Sequence, residues 1–311
     1  MDRIVIGKNR RRVETEQGMP VFLLADTVWN ASSRASDKDW DAYLTRRAAQ
    51  GFNAVLLDVL PADARPERLA QLAQAALDHG LYPILPAASQ VELVGADGAA
   101  QAVELTGLPA EAPRACRPSS DASEDELREA QAAQLQVLAA DELDNALPEL
   151  PVMSVPALDR PGSERGRLRA ALWHALLGGA VAGVAYQALG LWDWSNPALA
   201  CTYPAAEDYV FAKQAVDYFD LTWGEPWPDI LDAAARVVGV AAARTSSTAL
   251  VYVPTPAPIT LLGDFSETFV QAIDLTSGEG TRLDFVRDEA ADRSAVPAHP
   301  FAHDALYVIR L

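Results

Sequence analysis

Three short apolar runs, PVFLLA (20–25), NAVLLDVL (53–60) and LYPILP (81–86), are separated by two helical patterns, and this alternation constrains the fold more than any other feature. The turn Glu16-Gln17-Gly18 predicts a hairpin leading into the first run. Ser36 with Asp39 three residues later forms a capping-box-like start. Trp40, Tyr43, Leu44 and Ala48 then recur at helical spacing until Gly51 stops the helix. Pro66 opens a second helix, whose stripe Leu69, Leu72, Ala73, Ala76 and Leu77 ends at His79-Gly80. Apolar runs joined by amphipathic helices imply parallel strands with helices outside, in either a doubly wound sheet or a (β/α) barrel.

The pattern returns late in the chain. PVMSVP (151–156) predicts a strand, and Ser163 starts a helix through Leu168, Ala171, Leu172, Ala175 and Leu176 to Gly178-Gly179. VAGVAY (181–186) predicts another strand, followed by a helix from Pro204 through Val210, Ala215 and Phe219. Between them, residues 89–150 are rich in Ala, Glu and Pro; a capping box at Ser123 and Glu126 predicts one helix to about Leu138. A βαβ unit takes about 30 or more residues, so the middle holds at most about two and a full eight-stranded barrel would be cramped. From about Arg236 the period changes to short strands, VVGVAAA, TALVYV, ITLL, FVQAIDL, TRLDF and ALYVIRL, separated by turn residues. The expected architecture is therefore a contracted (β/α) TIM-barrel-like domain over 1–235 and an antiparallel β-sandwich over 236–311.

Several function classes drop out. With 25 basic against 43 acidic side chains the net charge is −18, unsuited to a phosphate backbone that needs clustered Lys and Arg, so no nucleic-acid partner is expected. No stretch approaches eighteen uninterrupted apolar residues, and the basic N-terminus leads into no apolar core, so neither a membrane partner nor export is expected and the chain is assigned to the cytoplasm. Cys116 and Cys201 belong to no CxxC or Cys/His cluster, and Pro300 separates His299 from His303, so no metal is expected. His79 reads as a helix C-terminal residue beside its Gly stop, and His174 as a packing residue within a helix. No Walker A, GxGxxG, HExxH or GxSxG pattern is present, and Gly178-Gly179 lies between a helix end and a strand, the reverse of the phosphate-binding order. No cofactor is expected.

In a parallel barrel the loops after the strands form the active face. Those positions hold Asp26-Thr27, Asp58, Ser89, Asp159, Gln187 and Leu191-Trp192-Asp193-Trp194. Paired carboxylates are what glycosidic cleavage needs, one to protonate the leaving oxygen and one to act as nucleophile or to activate water. Indole faces give sugar rings a flat apolar surface. The structural alternatives are a turn cap for Asp26, an arginine pairing for Asp58 and core packing for Trp192 and Trp194.

The motifs Ala25-Asp26-Thr27-Val28-Trp29, Tyr43-Leu44-Thr45-Arg46-Arg47-Ala48-Ala49-Gln50-Gly51-Phe52-Asn53 and Gly80-Leu81-Tyr82-Pro83-Ile84-Leu85-Pro86 resemble, in this order, segments of the apiosidase-like glycoside hydrolases. So do Arg169-Ala170-Ala171-Leu172-Trp173 with Gly183-Val184-Ala185-Tyr186 and Gly190-Leu191-Trp192-Asp193-Trp194. Val240-Ala241-Ala242-Ala243-Arg244 and Ala249-Leu250-Val251-Tyr252-Val253-Pro254 resemble that family's C-terminal β domain of the collagen-binding type. The resemblance implies a glycosidase scaffold with an oligo- or polysaccharide as partner. Asp26, Asp58 and Asp159 are then the candidate catalytic carboxylates, and Trp29, Tyr186, Gln187, Trp192, Asp193 and Trp194 the candidate sugar contacts.

The departures from the family pattern matter as much. The family's first catalytic acid, in a WxxGGD-like segment, has no counterpart in residues 89–150. Its second lies in a PVxxxEPxYE-like motif, and aligning Pro151 onward places Val155 at that acid, with Asp159 at the trailing acidic position. Valine neither transfers a proton nor attacks a sugar. The expectation is a carbohydrate-binding relative with weak or lost hydrolysis. Its alternatives are an active glycosidase with relocated carboxylates and a structural or interaction module that binds no carbohydrate.

Overall fold

A computed structural model describes residues 1–8, 10–57, 66–87, 90–94, 100–104, 109, 111–116, 133, 135–139, 143, 146, 150–265, 267–288 and 292–311. Seven parallel strands form a barrel: β1 (Leu23–Thr27), β2 (Ala54–Leu56), β3 (Tyr82–Pro86), β4 (Arg114–Cys116), β5 (Leu135–Ala139), β6 (Val152–Val155) and β7 (Gly183–Ala188). Each pairs with the next, and β7 pairs back with β1 through Gly183↔Leu23 to Tyr186↔Asp26, which closes the ring. Closure at seven agrees with the contraction expected from the short middle.

Among the described residues the longer helices outside are α1 (Asp37–Gln50), α2 (Pro66–Asp78), α3 (Arg165–Leu177) and α4 (Ala205–Tyr218). The expected cap of α1 is present: Ser36 Oγ accepts from the Asp39 amide at 3.1 Å and donates to its carboxylate at 2.6 Å. Gly51 ends that helix at φ +96°, a left-handed conformation that costs glycine little.

One expectation fails in the middle. The helix projected from Ser123 to about Leu138 runs into β5, where Leu135, Val137 and Leu138 are buried in a parallel strand. The remainder of that helix lies outside the described residues. A five-residue apolar run has too few turns for period to separate helix from buried strand, and pairing with both β4 and β6 decides it. An antiparallel hairpin, Gln90–Val94 with Ala100–Glu104, also occupies the middle.

Side chains alternate between the two faces of each barrel strand. Leu23, Ala25, Ala54, Leu56, Ile84, Val137, Met153 and Ala185 fill the lumen, and Leu24, Val55, Leu85 and Val184 pack outward against the helices. At the N-terminal end the lumen is plugged by Ile4 and Val13, from a three-stranded antiparallel sheet (Ile4–Ile6, Val13–Thr15, Pro20–Val21) that leads directly into β1.

The C-terminal part is a β-sandwich. A six-stranded antiparallel sheet, containing Ala241–Arg244, Thr248–Val253, Phe269–Asp274 and Ala305–Arg310, faces a three-stranded one that contains Ile259–Leu262 and Arg293–Val296. Both sides of the larger sheet are covered. Ala249, Val251, Tyr307 and Ile309 face the smaller sheet, and Leu250, Tyr252 and Leu306 pack on the helical layer of the barrel. Across this junction Arg169 on α3 forks onto Asp304 at 2.5–3.0 Å, and Tyr252 donates to the same carboxylate at 3.1 Å. His174 donates through Nε2 to the Gly239 carbonyl, 2.8 Å away, and packs edge to face on Tyr252 at the junction.

Candidate active site

Strand parity decides what the barrel offers a substrate. Asp26 follows the luminal Ala25 on β1, so its side chain turns outward into the layer between strands and helices, where it is fully buried. There it accepts a hydrogen bond from Arg47 Nε, and Arg47 is itself fully buried. Arg47 also donates through Nη1 to Gln50 at 2.7 Å, and Gln50 donates to the Cys201 carbonyl at 3.1 Å. Burial pushes the Asp26 carboxyl up to about 6 against the opposing pull of Arg47. The Tyr43 hydroxyl and the Thr27 backbone lie against the same carboxylate and also oppose the rise, while Arg47 Nη2 is buried without a hydrogen-bond partner among the described residues.

Tyr186, paired with Asp26 across β7 and β1, also turns outward and is fully buried. Its ring lies 5.5 Å from the Arg47 guanidinium and 5.0 Å from the Tyr209 ring, and its hydroxyl donates to Asp159 at 2.5 Å. Asp159 sits in a two-residue strand, Leu158–Asp159, added beside the C-terminal end of β7. It is 6% exposed, and burial raises its carboxyl above the usual range while the Tyr186 hydrogen bond opposes that rise. Asp26 and Asp159 thus belong to one buried chain, Asp26–Arg47–Tyr186–Asp159, rather than facing each other across an open pocket. Asp58, the third candidate carboxylate, lies outside the described residues.

At the C-terminal mouth, alternation turns Thr27, Val155 and Gln187 inward; Val155 packs against the luminal cluster. Val155 therefore occupies an inward position at a strand end, one of the positions from which a barrel can present a catalytic group. Trp29 and Trp192 meet edge to face with centroids 5.2 Å apart, both half-buried, and the Trp29 and Asn30 amides donate to the Trp192 carbonyl. Gln187, near the end of β7, is half-buried. Trp194 is elsewhere: it is 7% exposed and packs on Trp40 and Tyr43 in the helix-side core. Asp193 holds the loop, its carbonyl accepting from Asn30 at 3.4 Å and Arg34 at 3.2 Å.

Arg47 was not among the residues singled out from sequence, although a signal existed. It falls on the buried stripe of α1 with Trp40, Tyr43 and Leu44, and a guanidinium on an apolar stripe requires a buried partner. Among the described residues no cluster of His, Cys, Asp and Glu could hold a metal ion, and no helix is long and apolar enough to cross a membrane.

Comparison with known proteins agrees with this architecture. Residues 7–80 match the family described as "Apiosidase-like, catalytic domain". A solved structure described as a glycoside hydrolase superposes with TM-score 0.68 at 12% identity, over 99% of this chain and 97% of its own. A glycoside hydrolase family 5 protein from Bacteroides vulgatus ATCC 8482 gives TM-score 0.71 at 12% identity, over 99% and 93%. A putative glycoside hydrolase from the same organism gives 0.64 at 10% identity, over 100% and 82%. At these identities the likeness shows the fold alone. No curated protein matches in sequence.

Proposed function

We propose that this chain, apiosidase-like over its N-terminal segment and built on a glycoside hydrolase fold, binds a saccharide at the barrel mouth and hydrolyses it weakly or not at all. The observation that carries the reading is the placement of Asp26 and Asp159, the two candidate carboxylates among the described residues. A retaining mechanism needs two carboxyl groups about 5–5.5 Å apart and an inverting one about 6.5–9.5 Å, both flanking the scissile bond. Asp26 is turned out of the lumen and held by Arg47, Asp159 is held by Tyr186, and Val155 stands inward at the mouth. Trp29 and Trp192, with Gln187, supply the apolar edge and the amide that a sugar ring would meet.

One property favours the enzymatic alternative. A buried carboxyl with a raised pKa, as at Asp159, is what a general acid requires. The test separates the two readings: oligosaccharide binding by calorimetry and release of nitrophenol from aryl glycosides, on the wild type, Trp192→Ala and Asp159→Asn. Binding that weakens about tenfold in Trp192→Ala, with no turnover above buffer, is expected. Turnover abolished by Asp159→Asn returns the protein to the active glycosidases.

A further inference from the structure

A second concavity lies beside the mouth and uses none of the residues assigned to the saccharide. The loop after β6 folds against the first half of α3 and encloses a cleft of about 660 Å³, lined by Ala157, Leu158, Arg160, Glu164, Arg167 and Leu168, with Ala171 at one end. Alternation along the loop explains the lining. Asp159 turns inward to Tyr186, so its neighbours Leu158 and Arg160 turn to the cleft. The loop is fixed by the Arg160 amide, which donates to Ser163 Oγ at 3.0 Å, and by Gly162 at φ +85°.

The charges in this cleft are unusual for so acidic a chain. Arg165, the arginine between them, is taken up by Asp208 at 2.8 and 3.0 Å and by Glu207. Arg160 and Arg167 are exposed and make no ion pair with any described residue. Glu164 on the same rim cancels one of the two charges, so the rim carries a single net positive charge over an aliphatic floor. A guanidinium matches a carboxylate in geometry and charge. The volume falls in the range of drug-sized organic ligands, well beyond what a small inorganic ion fills.

We propose that this cleft binds an organic monoanion, a carboxylate carried on an extended apolar body, with Arg160 and Arg167 on the carboxylate and Leu158, Leu168 and Ala171 on the body. The site stands independently of the saccharide reading. Its test is calorimetric titration of the full chain with cinnamate and with octanoate, against cinnamamide, octanamide and galacturonate. The expected result is binding of one or both acids, at least tenfold weaker binding of the matching amide, and a comparable loss in Arg160→Gln/Arg167→Gln. Ala171→Phe, which fills part of the cleft and leaves the charges, should abolish binding without lowering the thermal midpoint. If Ala171→Phe does not fold, the arginine pair, exposed in the native chain, carries the test alone. Failure of both acids to bind, amides that bind as well as acids, an unaffected arginine variant, or galacturonate binding as tight as cinnamate each overturn the proposal; the last would assign the cleft to an acidic sugar.

Discussion

Replacing Asp26 by Asn distinguishes a carboxylate that holds the fold from one that does chemistry. The pair it forms with Arg47 is fully buried on both sides. The rise of its carboxyl from 3.8 to about 6 corresponds to about 3 kcal/mol by which the fold disfavours charge there, at about 1.4 kcal/mol per tenfold. That part of the stability is fully present below 3.8 and is lost as pH rises through about 6. Removing the carboxylate relieves this penalty and strands the Arg47 guanidinium, and breaking buried pairs in this way costs about 3–5 kcal/mol net. Asparagine still offers Arg47 Nε an acceptor, so a loss of about 3 kcal/mol is expected in urea unfolding at pH 7.5. Asp26→Asn/Arg47→Met removes both charges and should recover to within about 1.5 kcal/mol of the wild type, because apolar replacement of a buried pair is often neutral. Arg47→Met alone leaves the carboxyl unpaired and should gain stability as pH falls from 7.5, as the carboxyl takes up a proton. If Asp26→Asn unfolds within about 1 kcal/mol of the wild type, or the double variant is no better than the worse single one, the structural role is refuted. A variant that keeps its stability and loses turnover would make Asp26 catalytic.

A Cβ at Gly183 would lie 2.1 Å from the Leu23 carbonyl oxygen and 2.8 Å from Met153, at the point where β7 and β1 close the barrel. Gly183→Ala should therefore cost more than about 4 kcal/mol or leave no soluble protein, and a thermal midpoint near that of the wild type would show that the strands part easily. In the β-sandwich His299 is 2% exposed, stacked 5.5 Å from Phe301, and its ring lies against backbone groups of Thr255 and Phe301. Burial lowers its pKa from the ordinary 6.5, so its contribution is present above 6.5 and is lost as pH falls from there toward the folded value. His299→Phe should flatten the decline of urea stability below pH 6.5, and an unchanged slope would place the acid sensitivity elsewhere.

Elements with local causes are legible in the chain's residues alone. The stripe Trp40, Tyr43, Leu44 fixes the buried face of α1, Ser36 and Asp39 fix its start, and Gly51 its end. The change from alternating helices and strands to short strands marks the β-sandwich, although the first pairing with its larger sheet already occurs at Glu225–Pro226. The short middle foretold a barrel of fewer than eight strands, but it did not reveal that Leu135–Ala139 is one of them, since only its two neighbours distinguish that run from a helix. The placement of the carboxylates was legible only in part. Sequence puts Asp26 at the end of a parallel strand, and the pleat puts it on one face, but both faces of such a strand are apolar and neither identifies itself as the lumen. Closure of the ring between β7 and β1 made Ala25 luminal and turned Asp26 toward the helices. There the only cation on the buried stripe of α1, Arg47, lay within reach of it. Which face of a two-sided strand becomes interior depends on how the whole sheet curls. That is a property of seven strands together and of no residue within one of them.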